Sequence, residues 1–323
     1  METESTLKFI EIGRKKYMGM LDGRVAICTG SGRGVGKEVA KMYAANGAKV
    51  VVNDPGVGGG GEGGGTDPAQ ETVNEIKAAG GEAVANFGSV AKYEDCLDMV
   101  TQARDEFGGL HIMFNPAGIL RDRMFHKMSP DDWQAVMDVH LNGHFNFFRS
   151  AINLMRDQEY GRLIMVGSTS GLLGNIGQAN YGAAKMGIAG LSRIVAMENA
   201  NKNITSNVIC PSADTRMTRA VPTPKDPTAA AVREERLRRS PADAIAPLCT
   251  FLASEDAGYV NGQIFHQRGA ELSLYSQPRP VKMVHQQYGW SPETIAEVGM
   301  PSLKNNFFEM GDSRAVHPGT PLE

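Results

Sequence analysis

Cysteine is scarce: four occur in 323 residues, at positions 28, 96, 210 and 249, and no two form a C-x-x-C pair. A disulfide scaffold and a zinc site are disfavoured, and the usage suits a reducing cytoplasm. An excess of one charge is missing too. The 33 basic and 36 acidic residues leave a net charge of −3, which gives nucleic acid no electrostatic footing. No apolar run approaches a membrane span, and Met1–Lys16 is too polar and charged for a secretory signal. The last residues, Thr320-Pro321-Leu322-Glu323, are not the S-K-L peroxisomal address. These absences leave a cytoplasmic protein without metal, membrane or nucleic acid as the expectation.

What is present is rhythm. From residue 24 onward short β-branched runs alternate with helical patterns, the mark of parallel β-α-β units. Strands are expected at Val25–Cys28, Lys49–Asn53, Ala83–Asn86, His111–Phe114, Arg162–Val166, Ser206–Cys210 and Gln263–His266. Helices are expected near 35–46, 68–79, 93–106, 131–157, 179–201 and 241–253. The fold class is therefore α/β: a doubly wound Rossmann fold with a seven-stranded parallel sheet, binding ligands at the strands' carboxyl ends. Residues 1–17 read as an N-terminal extension, 18–272 as the domain and 273–323 as a C-terminal extension of the same unit.

Three segments break the rhythm. Residues 54–68 hold eight glycines and read as a flexible loop after the second strand. Thr218–Ser240 is a charged, proline-punctuated insertion. In the tail, Ser291-Pro292-Glu293 pairs a serine cap with a proline at the first helical position, so a short helix should start there.

Between the first strand and the first helix lies Thr29-Gly30-Ser31-Gly32-Arg33-Gly34-Val35-Gly36. Glycines let backbone approach a pyrophosphate, whose charge is favoured at a helix N-terminus. The spacing is T-G-x-x-x-G-x-G and not G-x-G-x-x-G, and Glu38 after Lys37 excludes a P-loop. Gly30, Ser31, Arg33, Gly34, Val35 and Gly36 are the candidate contacts. Asp54, at the end of the second strand, can accept hydrogen bonds from ribose hydroxyls and repels a 2′-phosphate, which favours NAD over NADP. Arg33 could pair with that phosphate instead.

Downstream, Tyr181 and Lys185 stand four residues apart, and Ser168 precedes the tyrosine by thirteen. On a helix that spacing stacks phenol and ammonium on one face, where the positive charge should lower the phenol pKa towards working pH. A tyrosine so tuned can give or take a proton. Taken alone, Ser168 reads more simply as a cap on the turn after its strand.

With Thr29–Gly36, Asn115-Pro116-Ala117-Gly118, Ser168 and Tyr181/Lys185 in order, residues from about 20 to 272 resemble the short-chain dehydrogenase/reductase family. Val52-Asn53-Asp54, Gly118-Ile119-Leu120-Arg121-Asp122-Arg123, Val139-His140-Leu141 and Arg216-Met217-Thr218 are similar to the (3R)-hydroxyacyl-CoA dehydrogenase group, represented by part of peroxisomal multifunctional enzyme type 2 and its bacterial relatives. The resemblance implies Tyr181 as acid/base, Ser168 as holder of the substrate oxygen and Lys185 as ribose ligand and partner of the phenol. It implies cofactor contacts from Ser89, Val90, Asn115, Ala117, Gly118, Tyr181 and Lys185, and from Pro211, Ala213 and Thr215 beside the carboxamide. Ser89 stands where most of the family has Asp. His140 stands where many members have a catalytic Asn, so either His140 or Asn142 would serve a proton relay, or His140 packs against the sheet with no chemical role. The family likeness also implies a homodimer or homotetramer, built through the helices near 131–157 and 179–201 and the last strand.

Substrate identity is less constrained. Four arginines in Arg233–Arg239 could meet coenzyme A phosphates, or form a solvated helical face of ion pairs. Met124, Met128, Met217 and Met300 could line an acyl pocket or fill the core. Three functions are expected in order: an NAD-dependent dehydrogenase of 3-hydroxyacyl-CoA thioesters, including bulky or steroid-derived ones; a hydroxysteroid or other secondary-alcohol dehydrogenase acting on CoA-free substrates; and a non-catalytic NAD(H) sensor.

Overall fold

The computed structural model describes residues 19–309 except 222, together with 311; the extension at 1–17 lies outside the described residues. One sheet runs through them, in the order β3-β2-β1-β4-β5-β6-β7-β8. Its strands are β1 (Val25–Cys28), β2 (Lys49–Asn53), β3 (Glu82–Asn86), β4 (Ile112–Asn115), β5 (Gly161–Val166), β6 (Ile204–Ser212), β7 (Ile264–Arg268) and β8 (Glu271–Leu274). Neighbours from β3 to β7 pair in parallel, and β8 pairs antiparallel to β7. Flanking helices are α1 (Gly34–Ala45), α2 (Asp67–Ala78), α3 (Tyr93–Phe107), α4 (Pro130–Met137), α5 (Gly143–Asp157), α6 (Ala179–Asn199), α7 (Pro227–Arg238) and α8 (Ala246–Ala253).

Both sheet faces are covered. Along β1, Ala26 and Cys28 join one apolar cluster while Val25 and Ile27 join another. This alternation across a sheet buried on both sides is why the strand reads as a continuous apolar run. The order reverses direction between β1 and β4, which leaves a crevice at their carboxyl ends.

Four expectations change. The sheet has eight strands, because Gly269, at φ +54°, turns the chain back after Arg268 and pairs it with Glu271. Residue 272, the expected end of the domain, therefore lies inside β8. The single helix over 131–157 is interrupted: α4 passes through a wide π-type turn, Asp138–Asn142, before α5. Gly143, just past that turn, backs onto Val90, where a Cβ would come within 2.9 Å of Val90 Cγ2. The insertion at 218–240 contains a helix, α7, capped by Asp226 with Pro227 at its first position, in line with the helical-face reading of the arginine run.

The glycine-rich stretch is the fourth. It is knit by hydrogen bonds from Gly58 N to Glu62 O (2.7 Å) and from Gly65 N to Pro55 O (3.0 Å). Leu120 N donates to Gly59 O at 2.9 Å and Arg121 Nε to Gly60 O at 3.1 Å. Glycines at positive φ (56, 61 and 63) make the reversals, so the segment forms a hydrogen-bonded strap and not a structureless loop. The expected tail helix does begin at Ser291, whose side chain caps Thr294 N with Pro292 following.

Candidate active site

The glycine loop sits in the crevice. Gly30 faces Ala117, whose Cα would be 2.8 Å from an added Cβ, and any Cβ on Gly36 would strike the Gly30 carbonyl. Backbone alone fits there, and the open N-terminus of α1 supplies donors to an anion. Gly34 lies beside Thr215, so the loop and the end of β6 form the two walls. Arg33 is exposed and Val35 half-buried, whereas Ser31 faces inward: its N–H donates to Asn53 O and its hydroxyl to Cys28 O. Those bonds make Ser31 scaffold for the loop.

Asp54 closes β2 with one oxygen accepting from Gly32 N (3.0 Å) and the other from Gly56 N (2.7 Å). It thus clasps the glycine loop to the strap, and each oxygen keeps a lone pair for a hydroxyl donor. Gly32, which the spacing alone did not single out, is its partner. On the far side, Ser89 N donates to Asp95, and buried Val90 accepts from Asn146. Asn115 is fully buried; its Oδ1 accepts from Thr29 and from Ala117 N. Pro211 and Ala213 run along the end of β6, Ser212 pairs with His266, and Thr215 caps the turn at 216–219. The cradle fits a dinucleotide: glycine surfaces, helix donors and a strand-end carboxylate stand in the required order.

Ser168, Tyr181 and Lys185 converge beyond it. Ser168 caps the turn after β5 through Ser170 N (3.1 Å), and its hydroxyl is near enough to Tyr181 to favour the phenolate. Lys185 is buried, donates to Val166 O at 2.7 Å, and holds Nζ 5.5 Å from the Tyr181 ring centre. The cap that Ser168 suggests when taken alone is therefore present.

The charge states differ from the expectation. Burial pushes the Tyr181 phenol up to about 12, against the lowering effect of the Ser168 hydroxyl, with Cys210 and Asp122 adding to the rise. The same burial pulls Lys185 down to about 7. A low-dielectric cleft penalises phenolate and ammonium alike, and desolvation is the largest effect on both groups.

His140 and Asn142 are separated by the structure. His140 is buried, edge-on to Tyr181 with ring centres 5.0 Å apart, and its Nε2 lies 2.8 Å from Ile119 O. Gly118 makes room for that ring, since a Cβ there would collide with Cε1. Asn142 is exposed and bonded to Asp138. Sequence reasoning also missed His144, Cys210 and Asp122; only the His140/His144 spacing, one helical turn, held a signal.

At the mouth, the α7 arginines are engaged. Arg233 donates to the Thr218 and Val221 carbonyls, while Arg238 and Arg239 both grip Glu235. None of Met124, Met128, Met217 and Met300 is buried, so core packing is not their use.

Residues 24–226 match the model of the short chain dehydrogenase family. Peroxisomal multifunctional enzyme type 2 of Drosophila melanogaster is 49% identical over 209 residues, covering 65% of this chain and 34% of its own. The hydroxyacyl-CoA dehydrogenase ChsB1 of Mycobacterium tuberculosis is 39% identical over 272 residues, covering 80% of this chain and 81% of its own. A crystal structure of a short chain dehydrogenase from Mycobacterium avium superposes with a TM-score of 0.78 at 35% identity, over 91% of this chain and 98% of the other. The chain spans only 31–51% of the length of three multifunctional relatives it matches. The chain belongs to the short chain dehydrogenase family: it is an oxidoreductase of CH–OH groups in a family that uses nicotinamide cofactors. Among the described residues no helix is long and apolar enough to cross a membrane, and no cluster of potential metal ligands occurs.

Proposed function

We propose that the protein is an NAD-dependent dehydrogenase of 3-hydroxyacyl-CoA thioesters, with Tyr181 as the proton-transferring group. The observation that carries the reading is the packing of Lys185 Nζ and the His140 ring on the Tyr181 ring, with Lys185 held by Val166 O two residues before Ser168, beside a glycine-lined cradle. The cofactor, when bound, supplies a hydride acceptor and a positively charged ring. Ser168 and Tyr181 hold the substrate oxygen; in reduction the Tyr181 hydroxyl gives that oxygen its proton, and in oxidation Tyr181 must first be phenolate to take the carbinol proton back. Lys185 holds the ribose edge of the cradle and offsets charge developing on the phenol. His140 packs on the Tyr181 ring and fixes its tilt; its position favours it over Asn142 for any relay. Preorganised donors of this kind account for most of the acceleration in such sites.

NAD is favoured because the Asp54 carboxylate, already holding two N–H groups, stands at the ribose end and repels a further phosphate. The thioester assignment rests on the names of the similar proteins and tolerates one competing observation. The arginines of α7 are engaged by protein partners, which favours a CoA-free secondary alcohol, such as a hydroxysteroid, unless the phosphates displace those partners or meet another cation such as exposed Arg216. Comparing kcat/KM for a 3-hydroxyacyl-CoA and its free acid, with NAD and with NADP, decides. A preference for the thioester and for NAD is expected; equal rates for acid and thioester would remove the CoA reading. A cytoplasmic site of action and a homodimer or homotetramer remain part of the proposal, since α5, α6 and β8 expose Phe145, Ile194, Met197, Leu272 and Leu274.

A further inference from the structure

His144 has no exposed surface and touches three elements at once. Its Nδ1 lies 2.7 Å from the carbonyl oxygen of His140, and its Nε2 accepts from Val166 N at 3.3 Å. A carbonyl can only accept and a peptide N–H can only donate, so the neutral ring carries its proton on Nδ1. Asn115 Nδ2, 3.3 Å from that same nitrogen, is then a packing neighbour and not a donor to it. Burial, reinforced by the charge of Lys185, keeps the imidazole neutral.

The two bonds join the turn at 138–142 directly to the end of β5, both of which also pack against the helix that carries Tyr181 and Lys185. The His140 carbonyl belongs to the wide turn whose side chain stands edge-on to Tyr181. Val166 ends β5, and its own carbonyl holds Lys185 Nζ at 2.7 Å. One imidazole therefore spans from the peptide that anchors the lysine to the turn that supports the tyrosine.

We propose that His144 is a positioning residue of this dehydrogenase site: its Nδ1–H tautomer locks the His140 turn to the end of β5, so that the supports of Tyr181 and Lys185 keep one mutual geometry. The inference rests on the reading of Tyr181 and Lys185 as the proton-transferring pair. His144 itself touches no reacting atom, and its loss acts through the other two.

The test uses the full chain and whichever CH–OH substrate it turns over, so failure of the thioester assignment leaves it intact. His144→Phe keeps the ring volume and removes both polar contacts, whereas His144→Asn keeps a donor near the Nδ1 position. A displacement near 1 Å costs about 10- to 100-fold in such geometries. That loss in kcat is expected for His144→Phe, with NADH affinity by fluorescence within about threefold of wild type and a larger solvent deuterium isotope effect on kcat. His144→Asn should recover at least part of the rate. An unchanged kcat and isotope effect in folded His144→Phe would overturn the proposal. So would equal loss of kcat, NADH affinity and Tm in both variants, which marks mere scaffolding. Should His144→Phe fail to fold, His144→Asn decides, since a wild-type isotope effect with lowered kcat refutes positioning. Full activity of Tyr181→Phe would instead sink the underlying reading.

Discussion

Burial sets the charge of this site side chain by side chain. With Tyr181 pushed up to about 12, the proton stays on the phenol until substrate and cofactor lower its cost, so Tyr181→Phe should cut turnover by about 10²- to 10⁴-fold while NADH still binds. Single-turnover rates and fluorescence titration check the two halves separately. Lys185 carries a stability signature of known sign. Unfolded, it titrates near 10.5; folded, near 7. Between those values the unfolded chain holds a proton that the folded chain has lost, so stability rises with pH across that window. Melting curves from pH 7 to 10 should show wild type gaining Tm relative to Lys185→Met; parallel curves would contradict the burial argument. His140 and His144, both held neutral by burial, act at the other end: stability should fall as pH drops below 6.5, where their unfolded forms take up protons. Gly118→Ala drives a methyl into the His140 ring, and a fall in kcat exceeding the fall in NADH affinity is the expected result.

The strap over residues 54–68 behaves as an element although it has no helix or strand. Its carbonyls at Gly59 and Gly60 hold Leu120 and Arg121, and the carbonyl of the preceding Ile119 accepts from His140 Nε2 at 2.8 Å. Asp54 ties the strap's start to the glycine loop. Asp54→Ala should therefore do two things at once: weaken NAD binding and relax discrimination against NADP. Ratios of kcat/KM for the two cofactors measure the second effect, and an unchanged ratio would leave Asp54 a structural clasp alone. α7 makes the opposite point. Its ion pairs around Glu235 are surface contacts worth little individually, so they add little stability and would yield to a phosphate.

For the whole molecule, the apolar residues left exposed on α5, α6 and β8 form the surfaces through which copies would associate. Light scattering should return a multiple of the 34.7 kDa chain, and Met197→Glu should reduce that multiple if α6 is buried between copies. The sheet and the order of its motifs were legible in the sequence, because continuous apolar runs and glycine spacing are local: Thr29–Gly36, Asp54 and Tyr181/Lys185 all fall where the pattern put them. The hairpin at Gly269 was not legible, since a glycine-alanine pair has no distinct signature without its partner strand. Sequence determined which groups enter the crevice. Only the tertiary structure decided their charge and alignment: the burial that lowers the Lys185 pKa, the packing of the His140 ring on Tyr181 and the bond from Val166 N to His144 all depend on atoms distant in the chain, which no local spacing encodes.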